Sequence, residues 1–188
     1  MTQIMDTFTK MNGNNYSPGT ITGKPIPVGG SLARNVATGL GNAYCIREAA
    51  KILNVELQGA KVVLQGFGNA STFSGIYLEK MGAKCIAASD SKGSILVPDG
   101  FKVQELIDWK QKEGSVVGYP GSKEISTEEL LTTECDVLVP GALENQITAE
   151  IAEKLQCKII GEAANGPTLP EADPILHKKG VFVIPDIL

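Results

Sequence analysis

Two glycines and an acid carry the first chemical signal in this sequence. In Gln65-Gly66-Phe67-Gly68-Asn69-Ala70-Ser71 the glycines stand one residue apart, and Asp90 follows nineteen residues after Ser71. That spacing suits a ligand with phosphates and a ribose. The first glycine permits a tight turn, the second lets backbone approach a pyrophosphate, and an acid about twenty residues on accepts hydrogen bonds from ribose hydroxyls. The third glycine of a G-x-G-x-x-G pattern is absent. Ser71 stands in its place and adds a Cβ and a hydroxyl where helix and strand pack closely, so the helix is expected to stand slightly further from the sheet. A bare pair of glycines is more often an ordinary turn, followed by an ordinary surface aspartate. The elements around them separate the two readings.

Those elements are in register. Val62-Val63-Leu64 is the continuous apolar run of a strand covered on both faces. Phe73, Ile76, Tyr77 and Met81 mark one face of a helix that the turn opens. The N-terminus of such a helix offers N–H groups and a positive dipole end to phosphates. Cys85 to Ser89 reads as a second strand that delivers Asp90. Further strands are expected at Ser94–Val97, closed by Pro98-Asp99-Gly100, and at 135–139, 158–161 and 181–184. A long helix is expected from Leu32 to Asn54, with Ala37, Leu40, Cys45, Ile46, Ala49, Ile52 and Leu53 as its apolar stripe. Gly39 and Gly41 inside it each cost roughly 1 kcal/mol relative to Ala, which close approach by a neighbour would offset. Other helices are expected from Phe101 through Trp109, at Glu128–Leu131 after Ser126-Thr127, around Ile147, Ile151 and Leu155, and at 170–179. Residues 114–126 read as a loop. Strand and helix alternate after residue 60, which gives an α/β class: a Rossmann-like, doubly wound, mostly parallel sheet with helices on both faces. The turns at 66–71, 89–93, 140–145 and 162–167 then converge on one crevice at the carboxyl ends of the strands.

Composition narrows the class. The chain has 188 residues, 43% apolar and 20% charged, with 21 glycines and a net charge of −4. No Lys/Arg cluster exceeds two adjacent residues, which argues against nucleic acid. No apolar run is long enough for a membrane span. The cysteines, Cys45, Cys85, Cys135 and Cys157, are far apart and the sole histidine is His177. They read as small buried hydrophobes in a reducing, cytoplasmic setting, with no metal site. Residues 1–9 read as the end of a helix with Ile4, Met5 and Phe8 on one face, and 10–30 as a loop. The expected organisation is thus 1–30, a helix end and linker, and 31–188, a nucleotide-binding domain.

Five blocks, in order, carry a family resemblance. They are Gly29-Gly30-Ser31-Leu32-Ala33-Arg34-Asn35-Val36-Ala37-Thr38-Gly39, Gln65-Gly66-Phe67-Gly68-Asn69, Ser89-Asp90-Ser91-Lys92-Gly93, Glu162-Ala163-Ala164-Asn165-Gly166-Pro167-Thr168 and Ile184-Pro185-Asp186-Ile187-Leu188. Together they resemble the cofactor-binding domain of the Glu/Leu/Phe/Val dehydrogenase superfamily. Thr22-Gly23-Lys24-Pro25 and Pro98-Asp99-Gly100 look most like its glutamate branch. The resemblance implies an NAD(P)-binding part of an enzyme that deaminates L-glutamate oxidatively to 2-oxoglutarate and ammonia, in a homo-hexameric parent. It implies that Thr38 contacts the nicotinamide end, that Arg34 lines the cleft, that Gly66, Phe67, Gly68 and Asn69 form the pyrophosphate turn, that Asp90 meets the adenosine ribose, and that Asn165 lies near the nicotinamide ribose. Asp90 favours NAD, whereas Ser91 and Lys92 could bind the 2′-phosphate of NADP. A substrate domain ahead of the chain and a further C-terminal segment are expected, so no residue is assigned to catalysis; Lys24 reads as a loop lysine. The alternatives are a leucine, phenylalanine or valine dehydrogenase, a non-catalytic binding fragment, and another Rossmann oxidoreductase, which leaves the Gly29–Gly39 block unexplained.

Overall fold

Strand β1 (Lys61–Gln65) lies at the middle of a seven-stranded sheet in the computed structural model, which describes residues 1–188. Val62, Val63 and Leu64 are fully buried because both faces of β1 are covered. Side chains alternate along a strand, so Val62 and Leu64 enter one core and Val63 the other. Four strands run parallel to β1: β2 (Lys84–Ser89), β5 (Val137–Pro140), β6 (Ile159–Gly161) and β7 (Phe182–Ile184). Two antiparallel strands, β3 (Ser94–Phe101) and β4 (Lys123–Ile125), complete the sheet in the order β4-β3-β2-β1-β5-β6-β7. The chain walks outward from β1 to β4, crosses back to β5 on the other side of β1, and walks outward again. The order therefore reverses between β1 and β5, where a doubly wound sheet opens a crevice at its carboxyl edge.

Helices form a layer on each face. From α2 (Arg34–Ile52), α3 (Asn69–Lys80) and α4 (Val103–Glu113) come Ala43, Ile46, Ala49, Leu78, Val103 and Leu106 of the first core. From α5 (Thr127–Leu131), α6 (Ala149–Lys154) and α7 (Asp173–Lys178) come Leu130, Leu131, Ala152 and Leu176 of the second. Ser126 and Glu129 form a capping box that starts α5, which satisfies two backbone donors reciprocally. The α/β, doubly wound expectation holds, and no helix is long and apolar enough to cross a membrane.

The chain divides into two compact units, Met1–Ala37 and Thr38–Leu188. The first holds α1 (Thr2–Met11), two short 3-10 turns and the opening of α2. Of the expected apolar face, Met5 is buried, whereas Ile4 and Phe8 are exposed. Lys24 is indeed a loop residue: its Nζ donates to the carbonyls of Pro18 and Ile21, each at 2.6 Å.

Several details depart from the sequence reading. In α2 the buried side is Gly39, Asn42, Ala43, Ile46, Ala49 and Ala50, and Ile52 is 70% exposed. In α3 it is Ser71, Ser74, Gly75 and Leu78, while Phe73, Ile76 and Tyr77 are half-buried. Small residues won both faces because the helices approach their neighbours closely. Gly39 would, with a Cβ, come within 2.6 Å of the Ala70 carbonyl and the Ser74 nitrogen. The Pro98-Asp99-Gly100 segment does not close a strand but bulges within β3, where the register against β2 slips between Cys85 and Ala87. Phe101 ends that strand and does not start a helix, and the loop at 114–126 contains β4. Ile147 and Leu155 flank α6. Cys85, Cys135 and Cys157 are buried and Cys45 half-buried, all as free thiols. Burial, with Glu79 adding to it, pushes the Cys85 thiol up to about 12, and burial does the same to Cys157.

Candidate functional site

The carboxyl-edge turns are locked to one another. Gly66 follows β1 at φ 82°, and a Cβ on it would stand 2.9 Å from the Gly141 carbonyl and from Ala142, in the turn after β5. Only glycine meets both demands. The Gly66 N–H donates to Ser89 Oγ (2.8 Å) at the end of β2, and the Gly141 N–H to the Gln65 carbonyl (2.8 Å). The N–H groups of Ala163 and Ala164, after β6, both donate to the Pro140 carbonyl at 3.0 Å. Asn145 N–H reaches the Gly166 carbonyl (2.9 Å), and Gly166 N–H reaches Asp186 Oδ2 (2.7 Å). Four loops distant in sequence thus form one rim over β2, β1, β5 and β6.

At the centre of that rim α3 begins. Gly68 is its N-cap, with no side-chain cap, and a Cβ on Gly68 would meet nothing within 4 Å. The first-turn N–H groups of a helix lack intrahelical acceptors, so donors face open space where an anion can lie against the backbone. Ser71, at the position usually taken by a third glycine, is fully buried. The room for its hydroxyl is made across the crevice: Gly141 has no side chain, and a Cβ there would collide with Ser71 Oγ. Ser71 Oγ lies 3.4 Å from the Gln65 carbonyl, to which it donates.

Asp90 organises the next loop. Its side chain is only 5% exposed. Oδ1 accepts from the Lys92 N–H (2.9 Å) and the Ser115 hydroxyl (3.1 Å), and Oδ2 accepts from the Val116 N–H (2.9 Å). Lys110 Nζ stands 3.8 Å from Oδ2 and donates to the Phe67 carbonyl at 2.9 Å. Burial alone would raise this acid's pKa; the Lys92 and Val116 N–H groups, the Ser115 hydroxyl and the Lys110 ammonium outweigh it and hold Asp90 below its ordinary value. A carboxylate offers about four acceptor positions, and here three are taken with a cation beside the fourth. Ser91 and Lys92 are exposed.

The structure brings Gly66, Phe67, Gly68 and Asn69 together with Asp90 through Ser89 and Lys110. Beside them opens a groove of about 530 Å³, bounded by Gly68, Asn69, Thr72 and Lys110 and walled by Phe73 and Ile76. Both belong to the apolar face expected of this helix, and Ile76 also packs against the first core. Asn165, exposed, sits in the turn clamped to Pro140. Thr38 is exposed on α2, next to Gly39, which abuts the first two turns of α3. Arg34 opens α2 in the first compact unit and is exposed. Sequence reasoning missed Ser89, Lys110 and Gly141. Ser89 directly precedes Asp90 and could have been noticed as a hydroxyl at a strand end; Pro140-Gly141 signals a turn but not its contact with Ser71, and Lys110 carries no local signal.

Comparison with known proteins gives the family and the fold. The pattern of the Glutamate/Leucine/Phenylalanine/Valine dehydrogenase family matches residues 29–188. A glutamate dehydrogenase of Thermotoga maritima is 46% identical over the whole chain, which covers 45% of that protein. An NAD-specific glutamate dehydrogenase of Staphylococcus aureus is 44% identical, again over the whole chain and 45% of its own length. Among solved structures, a hetero-hexameric glutamate dehydrogenase of Thermus thermophilus, in a leucine-bound form, superposes with a TM-score of 0.88 at 34% identity, covering 98% of this chain and 43% of that one. The chain spans less than half the length of the curated relatives it matches. Since the family pattern runs through every strand of the sheet and every turn of the rim, the chain belongs to the Glutamate/Leucine/Phenylalanine/Valine dehydrogenase family.

Proposed function

We propose that residues 38–188 bind a nicotinamide dinucleotide across the β1–β5 crevice, as the cofactor-holding part of a glutamate dehydrogenase. The observation that carries the reading is the uncapped start of α3. Gly66 fits only as glycine, and Gly68 leaves open the space in which a pyrophosphate would lie against the first-turn N–H groups. Gly66, Phe67, Gly68 and Asn69 hold the phosphates, Asp90 shapes the adenosine-ribose end through its loop, and Thr38 and Asn165 serve the nicotinamide end. The dinucleotide supplies the hydride chemistry when bound; these residues bind and orient it. Oxidation of glutamate, and assembly into a hexamer, belong to the longer protein.

NAD is the proposed cofactor, supported by relatives described as NAD-specific. With the Asp90 carboxylate engaged by Lys92, Ser115 and Val116, any hold on a 2′-phosphate falls to the exposed Ser91 and Lys92. Calorimetric titration of the chain with NAD and NADP tests both statements. Saturable binding of NAD, tighter than NADP, is expected, with Lys92→Ala lowering NADP affinity several-fold and leaving NAD unchanged. A folded chain that binds neither dinucleotide overturns the reading.

A further inference from the structure

One buried polar side chain near the crevice has no part in the roles above. Asn42 is 9% exposed, on the face of α2 that also buries Gly39, Ala43 and Ile46. A carboxamide in such a place loses hydration and is tolerated only with partners. Asn42 has them on two other segments. Nδ2 donates to the Glu162 carbonyl (3.0 Å), just past β6, and Oδ1 accepts from Ser74 Oγ (3.2 Å) on α3. The Ser74 hydroxyl also faces the carbonyls of Ala70 (2.9 Å) and Gly39 (3.3 Å), so its single proton is shared among three acceptors. A backbone carbonyl only accepts. The amino end of the carboxamide must therefore point at Glu162, and the group has one orientation. Gly161 leaves room for it: a Cβ there would stand 3.2 Å from Nδ2.

The three joined segments are those that carry candidate cofactor residues. Asn42 lies one helical turn after Thr38, on the same face of α2. Glu162 lies three residues before Asn165, and the two N–H groups between them are fixed on Pro140. Ser74 lies five residues after Asn69 in α3. An apolar side chain of similar size would fill the same space; only the amide also fixes the distance and direction between α2 and the Glu162 carbonyl, which would otherwise be left unsatisfied by this helix. The pyrophosphate turn, by contrast, has ties of its own, to Ser89 and Lys110, on the other side of β1.

We propose that Asn42 is a positioning residue for the nicotinamide half of the dinucleotide, fixing the Thr38 turn of α2 against the Asn165 turn after β6. The inference rests on the dinucleotide reading above. Its test uses the full 188-residue chain, with NADH as the complete ligand and ADP-ribose as the ligand without nicotinamide. Asn42→Leu keeps the number of side-chain heavy atoms and removes both bonds, and Asn42→Ala removes them with the side chain. In both variants NADH affinity is expected to fall about tenfold, the scale of one lost hydrogen bond, with loss of the emission change of bound dihydronicotinamide, while ADP-ribose affinity stays within about twofold. Parallel loss of NADH and ADP-ribose affinity in both variants makes Asn42 a packing residue and overturns the proposal. So does a wild-type affinity for NADH in both. A wild-type chain that binds neither ligand overturns the dinucleotide reading itself, and the proposal with it.

Discussion

Helices α3 and α4 contribute to the same core by opposite means. α4 buries large apolar side chains, Val103 and Leu106, and its apolar spacing is visible in the sequence. α3 buries Ser71, Ser74, Gly75 and only one large residue, Leu78. A Cβ on Gly75 would meet Leu64 Cδ1 at 2.8 Å and Val103 Cγ2 at 3.3 Å, so α4 supplies part of the bulk that α3 omits. The difference follows from what each helix must present. α4 covers the sheet with its side chains and reaches the site only through the long side chain of Lys110. α3 must bring its first turn to the end of β1, and its large residues Phe73 and Ile76 stay half-buried and wall the groove. Where backbone itself is the binding group, side chains at the contact are small and the close fit replaces hydrophobic bulk.

Substitutions on the two helices and their neighbours can break that contrast. Leu106→Ala should have the largest effect, a loss of roughly 2 to 5 kcal/mol by cavity formation, read as a lower denaturant midpoint with dinucleotide affinity retained in the folded fraction. Gly39→Ala should destabilise by roughly 1 to 3 kcal/mol by overpacking, although Ala is the better helix former, because its Cβ meets Phe73 Cβ at 2.5 Å. Unchanged or raised stability would show that α2 and α3 are less tightly engaged than this contact requires. Gly141→Ala should also cost roughly 1 to 3 kcal/mol through collision with Ser71, and Ser71→Gly in the same chain should restore most of it. Additive losses in that double variant would break the link between the two turns.

Asp90 gives a pH test of the loop beside α3. Its folded pKa lies below the ordinary 3.8. Its contribution is therefore fully present above that value and is lost as pH falls through the folded pKa. Asp90→Asn should be less stable than wild type at pH 7, with the gap in melting temperature closing as both are taken below pH 3.8. A gap that stays constant would mean that the ionised form contributes nothing. The smallest effect is expected at Gly41→Ala. Nothing lies within 4 Å of that Cβ, so the helix should gain roughly 0.5 to 1 kcal/mol from propensity alone.

The same contrast explains what could be read before the structure. Val62-Val63-Leu64, the turn at Gly66 and Asp90 were legible because hydropathy and turn chemistry are local. The buried side of α3 was not, because serine and glycine carry no hydropathy signal and closeness depends on the partner. The strand β4, Lys123–Ile125, is too short to show a period and owes its place to pairing with Ser94–Leu96. Pro98-Asp99-Gly100 gave a true turn signal, with Gly100 at φ 80°, yet the turn is a bulge inside β3 because β2 remains beside it and the segment lies beyond the part paired with β4. At the site, the acid was found but not its engagement: Ser115, Val116 and Lys110 reach Asp90 from more than fifteen residues away. The block at 162–168 singles out Asn165 as a candidate, but only the fold shows Asn42 reaching Glu162.

The buried thiols have a practical consequence. Cys85 belongs to the core beneath α2, α3 and α4, whereas Cys135 and Cys157 belong to the core beneath α5, α6 and α7. With their pKa values raised by burial, they remain unreactive thiols at neutral pH while the protein is closed. Each layer of the sheet thus contains its own chemical clock. Labelling with a thiol reagent, read cysteine by cysteine, reports separately how often each side of the sheet opens, and whether a bound dinucleotide quiets the side on which α3 lies before the other.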